Sequence, residues 1–299
     1  MALLLTIILL LLPTLLFSQD VLTREKGKLN IYFLDLGVDE FATDKSGDAT
    51  ILIAPEGEVM LIDSGHPQCG SQVIEALNKL GVDHIDYFVA SHPHIDHIGA
   101  FPQIAEAFSI GKVYRSSIVY NSSHQANFLH SIQEKNLDAE ILSEGDSFSF
   151  GSAIEIKIYN PSEPINYPKN YPDNCTSFIN NQSLAMRLSY GKSSAWFSGD
   201  LYLVQERELV LKYGDELQSD VIKANHHGGK TSNSLRWIKT IQPEIVVAMH
   251  DTLDSMSVYT NYKKYGAEYH LTYLNGTVRV VMDDKKNYTV KDTTQSWMN

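Results

Sequence analysis

The chain has 299 residues, 43% of them hydrophobic, enough to bury a substantial core within one large domain. Its 24 Lys and Arg stand against 36 Asp and Glu, a formal net charge of −12, with no basic run beyond Lys285-Lys286. A sequence-independent binder of long polyanions normally offers a Lys/Arg-rich face, so long nucleic acid is disfavoured as a partner without being excluded, and the chain has no internal repeat, heptad seam or low-complexity tract.

Taken in chain order, residues 1–17 are almost entirely apolar and carry no charge, before Ser18-Gln19-Asp20 turns polar. The run is short for a spanning helix and reads as a signal peptide over residues 1–19, implying a secreted or periplasmic protein. An uncleaved membrane anchor is the alternative, because the start lacks Lys or Arg and the cleavage site is not clean. No Cys follows the apolar core, which argues against bacterial lipid attachment. Export would permit a Cys69 to Cys175 disulfide, and N-x-S/T sequons begin at Asn121, Asn174, Asn181, Asn275 and Asn287.

A single domain is expected over residues 28–290. Apolar runs predict strands at Leu29 to Leu36, Thr50 to Ala54 and Val59 to Ile62, a helix over Ser71 to Leu80, a strand at Ile85 to Ala90 and a helix from Asp96 to Phe108. A strand at Val113 to Ser116, a helix over Ser122 to Lys135 and strands running through Phe148 to Tyr159 follow. The proline-rich stretch Asn160 to Phe178 reads as a long loop, of a kind often functional. Its aromatics Tyr159, Tyr167, Tyr171 and Phe178 could wall a quaternary ammonium, although packing the loop down is the plainer expectation. A hairpin over Leu184 to Ser198 and alternating helices and strands complete the chain to Thr289.

Within this order, Ser91-His92-Pro93-His94-Ile95-Asp96-His97 places three imidazoles and a carboxylate directly after the apolar run Ile85 to Ala90. A surface cluster is the bland alternative, but several nitrogen and oxygen donors at a strand end followed by a tight turn suit convergence on a metal ion. The same grammar recurs. Glu58 to Ile62 ends at Asp63-Ser64-Gly65, Ala195 to Ser198 at Gly199-Asp200, Val221 to Asn225 at His226-His227-Gly228-Gly229, and Ile245 to Met249 at His250-Asp251. Asp or His after one strand is often only a turn or cap residue; five such ends together point to one site.

These residues resemble the metallo-β-lactamase superfamily, in particular its ComEC-like and phosphorylcholine esterase-like branch. The matching pieces are LDLG at Leu34 to Gly37 with Gly47-Asp48-Ala49, LIDSG at Leu61 to Gly65, SHPHIDHIG at Ser91 to Gly99, NQSLAMRLSYG at Asn181 to Gly191, FSGD at Phe197 to Asp200 and HHGG at His226 to Gly229. Where the branch has a compact DVGQGDA, this chain is split by Val38 to Ser46. The resemblance implies an αββα sandwich of two mixed sheets flanked by helices, holding two divalent ions, with Zn²⁺ the first expectation and Mn²⁺ or Fe chemically allowed.

Carried over residue by residue, His92 and His94 would hold the first ion, Asp96 and His97 the second, Asp200 would bridge, and His227 would complete the second site. A bridging anion offsets the repulsion between two cations. The third His that many members add to the first site has no counterpart: the motif position is Asn181-Gln182-Ser183, and His124 and His130 fall in a helix where a His is usually a surface residue. That leaves one weaker or water-filled position. His226, diverging from His227, is expected to act as acid or phosphate-orienting group, with Asp96 and Asp200 positioning the nucleophile. Asp63 is expected to support a ligand His; Asn181, His66 and His250 are pocket candidates. The expected activity is metal-assisted hydrolysis of a small phosphodiester, a substrate better matched to an acidic chain than a long polyanion. A thioester or lactam hydrolase of the same fold and a non-catalytic metal-binding protein are the alternatives, and no obligate protein partner is implied.

Overall fold

A computed structural model describes residues 21–172 and 175–293. The expected signal peptide lies outside them; among the described residues no helix is long and apolar enough to cross a membrane.

The strands are β1 (Leu29–Phe33), β2 (Thr50–Ile53), β3 (Val59–Ile62), β4 (His84–Ala90), β5 (Ser109–Arg115), β6 (Asp138–Ile141), β7 (Ser147–Phe150), β8 (Ile154–Asn160), β9 (Ala185–Tyr190), β10 (Ser193–Phe197), β11 (Val221–Lys223), β12 (Ile245–Ala248), β13 (Glu268–Leu271), β14 (Val278–Met282) and β15 (Tyr288–Asp292). They form two sheets, ordered β15-β14-β1-β2-β3-β4-β5-β6 and β13-β12-β11-β10-β9-β8-β7. Both are mixed: β3 through β6 run parallel, as do β10 through β13, and the remaining pairs are antiparallel.

Each sheet is buried on both faces, which is why β1, β2, β3, β10 and β12 read as unbroken buried runs rather than alternating ones. Phe33, Met60, Ile156, Leu188, Phe197 and Val247 belong to the central layer between the sheets. Outside the first sheet lie α1 (Gly70–Lys79), α2 (Ile95–Ile98), α3 (Phe101–Ala107) and α4 (Ser123–Glu134), whose Val73, Leu77, Phe101 and Phe128 pack on Ile51, Leu61 and Phe88. A short α5 (Thr176–Asn180) follows, and then α6 (Leu203–Tyr213), α7 (Leu235–Ile241) and α8 (Met256–Lys264), which cover the second sheet through Leu209, Trp237, Ile238, Val258 and Tyr262. The architecture is the expected αββα sandwich.

Three sequence expectations are corrected, and one pair of alternatives is decided. The first strand stops at Phe33 rather than Leu36. The helix expected from Asp96 to Phe108 is broken into α2 and α3, with Pro102 in the first turn of the second piece, where a missing N–H costs nothing. Cys69 and Cys175 are both free: Cys69 is buried beneath α1, whereas Cys175 packs with Ile118 and Ile179 in a separate cluster. The loop aromatics follow the plainer of their two expectations and pack the loop down. Tyr159 packs on Trp196 and Tyr213, while Tyr167, Tyr171 and Phe178 pack on one another, and the Tyr167 hydroxyl accepts from the Val119 N–H at 2.9 Å.

Because β3, β4, β10, β11 and β12 lie in parallel blocks of two facing sheets, their C-terminal ends open at one rim. Asp63, His92 to His97, Asp200, Lys223 to His227 and His250 follow those ends.

Candidate metal centre

The centre is assembled by turns that hold the chain in conformations few residues adopt. Asp63 sits at φ 59°, His226 at φ 45° and His227 at φ 55°, all in the left-handed region that costs a side-chain-bearing residue energy. Gly47, at φ +77°, lets the chain pass so close to α2 that a Cβ there would lie 1.7 Å from the Asp96 carbonyl oxygen. That approach lets the Asp48 N–H donate to the same oxygen at 3.0 Å. The paired His turn is anchored from below by Glu206 of α6, which is fully buried. Its carboxylate accepts from Asn225 Nδ2 at 2.8 Å, Asn233 N–H at 2.5 Å and Ser234 N–H at 2.8 Å.

The structure brings His92, His94, Asp96, His97, Asp200 and His227 together. Nε2 of His97 and Nε2 of His227 each lie 3.3 Å from Asp200 Oδ2, and His227 Nε2 is also 3.3 Å from Asp96 Oδ2. His92 Nε2 and His94 Nδ1 meet at 2.9 Å on the other side, with His92 Nε2 3.9 Å from Asp200 Oδ2. Asp200 Oδ2 therefore stands between two pairs of imidazoles.

The outward ring nitrogens are fixed. Asp63 Oδ2 lies 2.8 Å from His97 Nδ1, and its two oxygens accept from the Ser91 N–H and hydroxyl at 2.7 Å. His227 Nδ1 lies 3.0 Å from Asp48 Oδ1 and 3.1 Å from the Met249 carbonyl. These contacts turn both Nε2 atoms inward, where they are buried and have no hydrogen-bond partner. Orphaned buried imidazole nitrogens aimed at one carboxylate fit a divalent metal ion.

Electrostatics agree. Burial opposes charging His97, but Asp200, Asp96 and Asp63 outweigh it and hold its pKa well above the ordinary imidazole value. Burial likewise opposes charging His227, and Asp200 and Asp48 overturn it. Burial alone would raise Asp200, yet His227, His97 and Lys223 hold it well below the carboxylate range. Carboxylates that must keep imidazoles protonated for charge balance can be served instead by a cation, with proton release. His92 differs: burial, then His97 and His94, push it well below its ordinary value, leaving a neutral imidazole.

Asp48, His97, Asp200 and His227 each offer a ligand-type atom within 4.8 Å of the others. Asp48 is better placed as a support than as a ligand, because Oδ1 is engaged by His227 Nδ1 and Oδ2 by the ammonium of Lys223. Burial would raise its pKa, but Lys223 and His227 bring it to about 2. Sequence reasoning quoted Asp48 within a motif without giving it a role, and missed Lys223 and Glu206. A Lys at the end of an apolar run was the available signal for Lys223; Glu206, on a helix rich in charged residues, offered none.

The remaining expectations divide. His226 faces the cleft beside Asp200, its Nε2 3.8 Å from Asp200 Oδ2, its Nδ1 against the Thr231 hydroxyl and its ring on Tyr202. Burial lowers its pKa to about 4 against the pull of Asp200. Asn181 is not brought into the cleft. Its Oδ1 accepts from the Tyr202 N–H at 3.1 Å, and its neighbour Asn180 lines the cleft instead. Neither His66 nor His250 is among the lining residues. His66 caps a one-turn helix by accepting from the Gln68 N–H, and His250 Nδ1 accepts from the Thr252 N–H at 3.1 Å with its ring edge-on to His227. His124, at the start of α4, does reach the rim of the cleft.

Above the centre lies a cleft of about 360 Å³, lined by Lys45, His94, Asp96, Tyr120, His124, Asn180 and His226 among others. Thr43, Asp44 and Lys45, from the stretch Val38 to Ser46, form part of its lining. Gln72 holds Gly37 through both its amide atoms, Gln68 Oε1 accepts from the Asp39 N–H, and Asp251 accepts from the Ser46 N–H and hydroxyl.

An αββα sandwich with His and Asp side chains gathered at one rim defines a metal-binding α/β protein. The metallo-beta-lactamase superfamily model matches residues 44–167, and the chain carries a metallo-β-lactamase domain of the kind whose fold is typically hydrolytic and binds divalent metals. Its homologues are competence proteins of the ComEC-like branch. It is 28% identical over 206 residues to Competence protein ComA of Neisseria gonorrhoeae, an alignment covering 69% of this chain and 26% of that protein. It is 25% identical over 251 residues to ComE operon protein 3 of Bacillus subtilis, covering 78% and 29%. The chain thus spans less than a third of the length of these relatives. Among solved structures, Zn²⁺-bound PqqB from Methylobacterium extorquens superposes with a TM-score of 0.57 at 11% identity over 85% of this chain and 99% of that one. CmlA, a diiron β-hydroxylase from Streptomyces venezuelae, gives 0.53 at 12% identity, over 87% and 55%. At those identities the likeness is one of fold.

Proposed function

We propose that the protein is a two-metal hydrolase of small phosphodiesters. The observation that carries this reading is the placement of Asp200 Oδ2 between the His92 and His94 pair and the His97 and His227 pair, on the floor of a cleft of limited size. The residues fit His92 and His94 as holders of one ion and Asp96, His97 and His227 as holders of the other, with Asp200 shared. Ions bound there would supply Lewis acidity and an activated water for attack on an ester.

The chain's own residues supply the rest. Asp63 and Asp48 fix the ring planes of His97 and His227, so the donor set needs little rearrangement before reaction. Thr231 holds His226 Nδ1 and leaves Nε2 toward the cleft, where it can donate to a phosphoryl oxygen or to the departing ester oxygen. Lys45, Tyr120 and His124 line the wall and offer donors to an anionic substrate. The acidic chain, at a formal net charge of −12, suits a small substrate better than long nucleic acid.

Zn²⁺-loaded protein is expected to hydrolyse bis(p-nitrophenyl) phosphate, to lose that activity with chelator, and to lose both activity and bound metal on Asp200→Ala. A phosphorylcholine ester and a thioester assayed alongside narrow the leaving group. Cleavage of the thioester alone, or an Asp200→Ala variant with undiminished turnover, would sink the proposal.

A further inference from the structure

Lys223 is a buried cation at the centre that no ion-holding role absorbs. It ends β11, has 3% of its surface exposed, and its ammonium donates to the Gly199 carbonyl at 2.9 Å and to Asp200 Oδ1 at 3.4 Å while forming an ion pair with Asp48 Oδ2. The contact to Asp200 ties up Oδ1. Oδ2, the oxygen that faces His97 and His227, is left for an ion.

The charge count gives this contact a further meaning. Asp48, Asp63, Asp96 and Asp200 are the carboxylates that touch the centre's imidazoles or Lys223. With Lys223, and with every imidazole neutral as metal binding requires, they leave the shell three charges negative. One divalent ion leaves it one negative, and two leave it one positive. Without Lys223 the doubly loaded centre would be neutral. We infer that Lys223 is a positioning residue that makes the doubly loaded centre net positive, so that it selects a monoanionic ester, such as a phosphodiester, over a neutral ester or lactam. The inference deepens the hydrolase reading and rests on it for the presence of two ions.

Its signature is a pair of opposite shifts. A buried charge removed a few ångströms from the ions changes cation and anion affinity in opposite directions, whereas damage to the scaffold weakens both. The full chain is titrated with Zn²⁺ by calorimetry; the loaded, desalted protein is then titrated with inorganic phosphate. Lys223→Met is expected to bind Zn²⁺ at least as tightly as wild type and phosphate at least about tenfold more weakly. Asp48→Asn, whose amide oxygen can still accept from His227, is expected to do the reverse. Loss of both affinities in both variants, unchanged phosphate binding in Lys223→Met, or no phosphate binding by loaded wild type would overturn the inference. Should Lys223→Met fail to fold, Asp48→Asn decides alone, and phosphate binding that is unchanged or weaker there overturns it. Opposite shifts in a protein that hydrolyses no phosphodiester would instead overturn the hydrolase reading and leave this one standing.

Discussion

The two sides of the centre are built differently. On the His97 and His227 side, each ring is backed by a buried carboxylate, Asp63 or Asp48, and each Nε2 lies 3.3 Å from Asp200. On the His92 and His94 side, His92 Nδ1 has only the Ser91 hydroxyl at 3.1 Å, and His94 leans edge-on against Tyr120. A carboxylate behind an imidazole fixes its orientation and raises its basicity; a hydroxyl does less of both. One half of the centre therefore has its rings fixed by buried carboxylates, and the other half does not.

Removing one ring from each side tests that asymmetry most directly. His97→Ala is expected to leave no tightly bound ion, whereas His92→Ala is expected to keep one, as read by metal content after desalting. Equal losses would mean that the sides are energetically equivalent. A smaller effect is expected from the backing alone: Asp63→Asn keeps the shape but replaces the anion behind His97, and should weaken Zn²⁺ by about 10- to 100-fold, measured by competition with a chromophoric chelator. The smallest effect concerns pH. The raised pKa values of His97 and His227 stabilise the metal-free fold fully below the unfolded imidazole value and progressively less as pH rises through the folded ones. The lowered pKa of Asp200 acts oppositely, its contribution being lost as pH falls below the ordinary carboxylate range. Thermal unfolding with chelator should thus show the midpoint declining on the alkaline side, and added Zn²⁺ should flatten that decline. A chelated protein with no alkaline decline would argue against charged imidazoles.

What was legible in the chain was whatever local patterning encodes. Unbroken apolar runs ending in Asp or His marked the parallel strands, and the motif Ser91 to His97 marked the rim. Contacts made across the fold were not legible. Asp48 meets His227 across 179 positions, and nothing local in Gly47-Asp48-Ala49 indicates that its partners are an imidazole and an ammonium. Lys223 reads as a polar interruption at the end of an apolar strand until Gly199 and Asp200 are seen beside it. Glu206, on a helix rich in charged residues, reads as solvent-facing until its three N–H donors arrive from residues 225–234. Asn180 and Asn181 differ by one position, and only the turn at the end of α5 decides which enters the cleft.

The fastening of Val38 to Ser46 has a consequence of a different kind. Gln68 and Gln72 clasp its start, Asp251 clasps its end, and Gly47 then returns the chain to α2 in a conformation that admits no side chain. The gathered His and Asp side chains lie outside those fastenings, and the part of the cleft lining formed by Thr43, Asp44 and Lys45 lies within them. The stretch is in effect a replaceable panel: it can be lengthened, shortened or rewritten, and the reaction offered new substrates, without redesigning the machinery behind it.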